Sequence, residues 1–317
     1  MNKLLTIVIC TYNGEAYLSE VIESILSQEG LGDIVHKILV VDNASTDKTK
    51  EIVTKYMEEN PIIDYIYESN KGVSNARKHA ANVITPWVAY VDDDNILLPR
   101  WLINNKKYIE ENPTVGVING ASIPLLRFQP TENQKKNLKI IYPNLACTHY
   151  DYNEYIQGID SKLKFPFGAG MILRTKEIEN FLDKGWTRNV GRSGEELGSG
   201  EDGEIAYAVL KEGYDYGFNM NAALWHIIPQ RRLENDYINK LYKGLDIGYY
   251  KYVSYSDNYL KRRISIVFRF ILGILVHPLR IILTNDPIKK EVLRKGLVSK
   301  IRFIKLSLKD LIVFRRS

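Results

Sequence analysis

The chain has few of the residues that build redox or zinc scaffolds: 2 cysteines and 5 histidines in 317 residues. Cys10 and Cys147 cannot form a disulfide framework, and their spacing fits no zinc motif. Cys10 lies in an apolar run and reads as a buried, inert thiol. No internal repeat or low-complexity block is present, and no early apolar run is long enough for a signal peptide. The stretch Met1–Cys10 is short and is followed at once by Thr11-Tyr12-Asn13. A cytoplasmic protein is therefore expected, and the sequon Asn43-Ala44-Ser45 carries no meaning without export. The one later apolar run, Ile264 to Leu283, is interrupted by Arg269, His277, Pro278 and Arg280, which argues against a clean membrane span.

What is present describes a folded protein. Hydrophobic residues make up 45% and charged residues 26% of the chain, so disorder is not the expectation. The net charge of +5 hides a split: residues 231–317 hold 20 Lys and Arg against 7 Asp and Glu, whereas residues 1–230 hold 23 against 31. An acidic body with a basic tail points to two jobs, the tail being drawn to an anionic surface. Its basic residues alternate with aliphatic runs rather than forming a polar groove, which disfavours nucleic acid and favours an interfacial or re-entrant membrane segment, with a helical appendage packed on the body as the alternative.

Apolar runs at Leu4–Cys10, Lys37–Val41, Ile62–Tyr67 and Trp87–Val91 predict strands. Helical spacing predicts helices over Glu15–Gln28, after Ser45 or Thr46 as a cap, and over Val73–Val83. Strands alternating with helices imply an α/β, Rossmann-like domain with a mostly parallel sheet covered on both faces. Further along, Trp101–Glu111 and Glu204–Glu212 read as helices, and Val115–Ile123 and part of Gly168–Arg174 as strands. Residues 124–165 show no readable pattern. The expected division is a catalytic domain at 1–230, with halves 1–100 and 101–230, and a helical, basic region at 231–317.

Asp92-Asp93-Asp94 ends a predicted strand, where open parallel sheets bind ligands. Three adjacent carboxylates repel one another, so a divalent cation would relieve the strain. Hard oxygens suit Mg²⁺ or Mn²⁺, which usually also hold phosphate oxygens. Asp42 closes the neighbouring strand and can accept a hydrogen bond from a base or ribose, if Ser45 or Thr46 caps the next helix and leaves it free.

The ordered stretches Thr6–Asn13, Val40–Asp47, Asn70–Arg77 and Val91–Asp94 resemble the motifs of glycosyltransferase family 2, which has the GT-A fold. The resemblance implies that Thr11, Tyr12 and Asp42 contact the nucleotide of a nucleotide-sugar, with Asp42 against the uracil of a UDP-sugar. Asn13, Arg77, Asp92 and Asp93 would complete the donor-binding set, and Asp92 and Asp94 would form a DxD-type motif with Asp94 on the metal. Gln28 resembles a position of the family's first helix. Gly168, Ala169 and Gly170 resemble the loop near acceptor and donor sugar. Glu201-Asp202 resembles the motif whose aspartate is the catalytic base, Glu201 then being acceptor-side. Trp225-His226 through Arg232-Leu233 resembles the end of the family's catalytic domain, where His226 could complete the metal shell or bind diphosphate and Arg232 could neutralise phosphate. Asn95 stands where many relatives carry another acid, and Gln230-Arg231-Arg232 departs from the motif of processive synthases.

The implied protein is an inverting, non-processive glycosyltransferase of hexosyltransferase type with a Mn²⁺ or Mg²⁺ cofactor and a glycan or lipid-linked acceptor. It would serve bacterial surface polysaccharide or glycolipid synthesis at the inner face of the cell membrane. A sugar nucleotidyltransferase or a non-catalytic, membrane-bound nucleotide-binding module are the rivals. Gly198 to Gly203 also fits G-x-G-x-x-G, but no strand precedes it and its acids would repel a pyrophosphate.

Overall fold

The computed structural model describes the chain apart from residues 1–2, 159–164, 184–190, 194–195, 256–258 and 315–317. The chain divides into two units. The first comprises Met1–Gln129, Tyr142–Gly194 and Glu201–Pro229; the second comprises Pro130–Ile141, Glu195–Gly200 and Gln230–Ser317.

The sheet of the first unit has eight strands among the described residues. They are β1 (Leu5–Thr11), β2 (Val35–Asp42), β3 (Ile63–Tyr67), β4 (Trp87–Asp92), β5 (Asn95–Leu97), β6 (Val115–Leu125), β7 (Ile172–Arg174) and β8 (Asp215–Ile227), in the order β3-β2-β1-β4-β7-β6-β8-β5. The pairs β1–β2, β1–β4, β2–β3 and β6–β8 are parallel, whereas β7 and β5 run antiparallel to their neighbours. All seven residues of β1 are buried, as expected of a central strand covered on both faces. The helices are α1 (Leu18–Leu26), α2 (Leu31–Ile34), α3 (Thr49–Glu59), α4 (Val73–Lys78), α5 (Trp101–Glu111), α6 (Glu132–Ile141), α7 (Tyr152–Ile156), α8 (Thr175–Asp183) and α9 (Glu201–Leu210). Alternation along β1 divides the core. Leu5, Ile7 and Ile9 pack with Leu18, Val21, Ile22 and Ile25 of α1. Val8 and Cys10 pack with Ala76 of α4 and Ile205 and Val209 of α9.

Several expected boundaries move, each for a local reason. Neither Ser45 nor Thr46 caps α3. Ser45 accepts from the Asn13 amide, the Thr46 amide donates to Asn13, and Asp47 accepts from the amide of Thr49, where the helix begins. The helix expected over Val73–Val83 is α4 followed by a 3₁₀ turn, His79–Asn82. α9 starts at Glu201 rather than near Glu204, because Glu201, Asp202 and Glu204 place negative charge in its first turn. Gly213, at φ +96°, lies just beyond its end. The unreadable stretch 124–165 contains α6, a 3₁₀ turn (Tyr142–Leu145) and α7, whose N-terminus is capped by Asp151 accepting from the Glu154 amide.

The second unit is largely helical: α10 (Asn235–Tyr255), α11 (Tyr259–Leu283) and α12 (Pro287–Phe314) pack on one another, and α6 packs on α12. Tyr250, Ile266 and Phe303 form its small core, with Phe270 edge-on to Phe303 at 5.1 Å.

Candidate functional site

Strand register assembles the site at the carboxyl edge of the sheet. Pairing of β1 with β2 sets Thr11 against Asp42, and pairing with β4 sets Cys10 against Asp92. Three candidate positions thus end level on adjacent strands. Antiparallel pairing of β5 with β8 sets His226 opposite Asn95, one residue after Asp94.

From that edge the three consecutive aspartates diverge. Asp92 faces Arg77, whose Nη2 lies 3.4 Å from its Oδ1. Asp93 accepts from the Thr11 hydroxyl at 2.7 Å and the Tyr12 amide at 3.3 Å. Asp94 is buried, with its Oδ1 3.3 Å from His226 Nε2 and 3.0 Å from Asn95 Nδ2. Burial, and then the charge of Asp94, push Asp93 up to about 7 against the pull of the Thr11 hydroxyl. Gly14 follows closely: a Cβ there would lie 2.3 Å from Thr11 Oγ1 and 2.9 Å from Asp93 Oδ2.

Asp42 is buried and already engaged, accepting from the Ser45 amide and the Tyr65 hydroxyl, both at 2.8 Å. The expectation that Ser45 or Thr46 would leave it free does not hold. Each of its oxygens keeps a second lone pair for a ligand N–H. Tyr12 is exposed, with Lys71 Nζ 5.5 Å from its ring centroid. Gln28 bonds the Leu98 carbonyl and the Leu102 amide and so ties α1 to the start of α5.

Arg77 joins the end of β4 to the start of α9. It is only 3% exposed, and its Nη1 lies 3.2 Å from Glu201 while Nη2 faces Asp92. Burial works against its charge, but the carboxylates of Asp92, Glu201 and Asp202 outweigh burial and hold it protonated above its ordinary range. Gly168 lies against the guanidinium: a Cβ there would sit 2.2 Å from Nη2. The Gly168 amide also donates to Asp202 Oδ2 at 2.9 Å, and the Gly203 amide donates to Oδ1 at 2.8 Å. Asp202 thus sits in the first turn of α9 with its rotamer fixed from two sides. The loop carrying Ala169 turns at Gly170, at φ +66°, where a Cβ would meet Leu224 at 2.6 Å. Cys10 is buried behind this edge, its thiol pushed up to about 12 chiefly by burial.

The positioning roles of four residues escape sequence reasoning. Asn119, buried inside β6, donates to the Phe167 carbonyl at 2.9 Å and accepts from the Phe167 amide at 3.3 Å, holding the loop before Gly168. A polar residue in the middle of an apolar strand was the available signal. Asn43 bonds the carbonyls of Glu68 and Asn70 and the amide of Gly72, pinning the loop ahead of α4. Tyr65 braces Asp42 from β3, and Asn95 bonds both Asp94 and the Asp92 amide. Arg232 belongs to the second unit, in the 3₁₀ turn Gln230–Leu233.

Among the described residues no set of three His, Cys, Asp or Glu side chains is arranged to hold a metal. The pair Asp94 and His226 nevertheless fits one side of a cation shell. Its O···N spacing of 3.3 Å is close to the roughly 3.0 Å between two ligands placed at right angles, each about 2.1 Å from a six-coordinate cation. Such a cation would take its other ligands from phosphate and water.

Residues 6–163 match the family model described as Glycosyl transferase family 2. An uncharacterized glycosyltransferase of Methanocaldococcus jannaschii is 35% identical over 118 residues, which is 36% of this chain and 40% of that protein. The glucosyl-dolichyl phosphate glucuronosyltransferase of Haloferax volcanii is 22% identical over 258 residues, 78% of this chain and 76% of that protein. The chain therefore spans about two fifths of the first relative's length and about three quarters of the second's. Among solved structures, the mannosyltransferase PcManGT of Pyrobaculum calidifontis in complex with GDP-Man and Mn²⁺ superposes with a TM-score of 0.59 at 16% identity, covering 98% of this chain and 88% of that one. Residues 1–349 of TarS from S. aureus, in complex with UDP-GlcNAc, superpose with a TM-score of 0.53 at 16% identity, covering 83% and 73%. At those identities the likeness is one of fold. The chain belongs to glycosyl transferase family 2 across residues 6–163 and carries the GT-A α/β fold, a mixed, mostly parallel sheet with helices, followed by additional C-terminal helices.

Proposed function

We propose that the protein transfers a sugar from a nucleotide-sugar to an acceptor hydroxyl in one in-line displacement with inversion. One observation carries this reading: Asp92, Asp93 and Asp94 diverge from a single strand end toward Arg77, Thr11 and His226, and the Arg77 that Asp92 engages lies against the same loop that anchors Asp202. In this reading Thr11, Tyr12, Asn13 and Asp42 cradle the nucleoside, and Asp42 selects the base through its remaining lone pairs. Asp92 and Asp93 line the donor sugar. Arg77 is a positioning residue, holding Asp92 and Glu201 in fixed relation. Asp202 receives the acceptor proton as the acceptor oxygen bonds the anomeric carbon and the bond to the diphosphate breaks. The two backbone amides on Asp202 hold it in place for that transfer. Asp94 and His226 would hold the Mn²⁺ or Mg²⁺ ion, which supplies electrostatic stabilisation of the leaving diphosphate.

A UDP-sugar is the first donor to test, and a GDP-sugar the second, since the two structural relatives hold one each. The Haloferax relative, named for a glucosyl-dolichyl phosphate, supports a lipid-linked acceptor at a membrane face. Surface-glycan or glycolipid assembly on the cytoplasmic side is the setting that agrees with such an acceptor. The test is a panel of nucleotide-sugars incubated with Mn²⁺ or Mg²⁺, scoring released nucleoside diphosphate. Metal-dependent nucleoside diphosphate from at least one donor supports the proposal. Pyrophosphate released in a parallel incubation with nucleoside triphosphate and sugar 1-phosphate would favour a nucleotidyltransferase, and binding without any turnover would favour a non-catalytic module.

A further inference from the structure

Helix α11 carries two faces of different fate. Along one, Ile266, Phe270, Gly273 and His277 recur at helical spacing and turn toward α12. Phe270 meets Phe303 at 5.1 Å, a Cβ on Gly273 would lie 2.9 Å from Lys300 Cε, and His277 Nε2 is 3.5 Å from Lys300 Nζ. That face is occupied by protein.

The opposite face is left exposed by the described residues. Ile264, Phe268, Leu272, Leu275, Leu279 and Ile282 are all exposed, Leu275 and Ile282 by 71% and 72%, and they follow one another at steps of three or four. Such a stripe of large apolar side chains is far more than scattered surface hydrophobics, and it demands a partner. Ile264–Leu283 is also the one helical segment, among the described residues, long and apolar enough to cross a membrane.

The charges decide what the partner is. Arg269 and Arg280 are exposed and lie eleven positions apart, about three helical turns, so both fall on the same flank of the apolar stripe. A spanning helix would carry Arg269 into hydrocarbon, and it would also expose to lipid the face that already packs on α12. A helix lying in the plane of the interface satisfies every group. Its stripe enters the acyl boundary, its arginines meet lipid phosphates, and its third side stays on protein. The excess of 20 basic over 7 acidic residues in 231–317 has the sign an anionic surface requires.

We infer that α11 docks flat on an anionic phospholipid membrane, with the Ile264–Ile282 stripe submerged and Arg269 and Arg280 on headgroup phosphates. This does not depend on the proposed reaction, because it concerns the helical unit alone and is read out by lipid binding.

The test is flotation of the full-length protein with vesicles of phosphatidylcholine alone or mixed with phosphatidylglycerol. The wild type should float with the anionic vesicles, and less with neutral ones. Leu275→Glu with Leu279→Glu should remain in the soluble fraction. Both sites are exposed, so an unchanged circular-dichroism melt will show that the variant folds. Arg269→Ala and Arg280→Ala should each weaken binding to anionic vesicles about fivefold, and high salt should remove that contribution. Bound protein should be released by alkaline carbonate. Retention after carbonate would overturn the flat geometry in favour of a span. Failure of the wild type to float, equal flotation of the double-glutamate variant, or a dimer that this variant splits into monomers would each overturn the proposal.

Discussion

Replacing Gly168 by alanine tests whether the loop at residues 167–170 is built against Arg77. The added Cβ would fall 2.2 Å from Nη2, over an ångström inside normal contact, and Arg77 is only 3% exposed. Moving it away breaks contacts of 3.4 Å to Asp92 and 3.2 Å to Glu201. Overpacking alone costs about 1–3 kcal/mol, and fully unpairing a buried charge about 3–5 kcal/mol. Partial accommodation places the loss at about 2–4 kcal/mol, or a fall in Tm of roughly 5–10 °C for a domain of this size. The same shift moves the Gly168 amide off Asp202, and a misplacement of about 1 Å costs on the order of 10²-fold in turnover. Thermal unfolding and nucleotide-sugar turnover would be measured on Gly168→Ala beside Gly203→Ala. A Cβ at Gly203 meets nothing within 4 Å and the residue is helical, so that variant should hold or gain about 0.5–1 kcal/mol. A Gly168→Ala protein that melts within about 1 °C of wild type with full turnover would refute the packing argument.

Arg77→Met should destabilise by about 3–5 kcal/mol, because Asp92 and Glu201 lose their shared cation, whereas Arg77→Met combined with Glu201→Gln should recover part of that in a denaturant melt. Chelation by EDTA should abolish turnover, and His226→Ala should raise the Mn²⁺ concentration needed for half-maximal rate about 10–100-fold, read from metal titrations. Asn119→Ala should cost about 1–3 kcal/mol by leaving the Phe167 backbone unpaired, with a rise in KM for acceptor. Partial burial would raise the Asp47 carboxyl, but hydrogen bonds from Thr49 and the Glu15 amide hold it below the usual range. Its stabilising contribution is therefore present above the ordinary aspartate pKa and lost as pH falls through the lowered one, so Asp47→Ala should shrink the acid-side loss of Tm.

The parallel half of the fold was legible because buried strands such as Thr6–Cys10 and Trp87–Val91 are continuous apolar runs, and their ends carry the chemistry. Those ends also told where Asp42, Thr11 and Asp92 would meet, since parallel register sets them level. The pairing of Asp94 with His226 was available only through a resemblance, because it depends on an antiparallel contact between β5 and β8 more than a hundred residues apart. Residues 124–165 resisted reading because α6 belongs to the helical unit and the other described residues fold into a 3₁₀ turn, the five-residue α7 and loops that carry no long period. The start of α3 was misplaced because Ser45 and Thr46 were spent on Asn13, a tertiary use invisible to local propensity. Asn119 and Tyr65 act through other groups, and no motif spacing marks such a role.

The central claim is that Asp202 takes the acceptor proton at a site whose donor half stands without it. Transfer and UDP binding measured side by side on wild type and Asp202→Asn test it most directly. Because the Gly168 amide still finds an oxygen on asparagine, donor affinity should stay within about threefold, while transfer should fall by about 10²–10⁴. Transfer at the wild-type rate by Asp202→Asn would contradict the account.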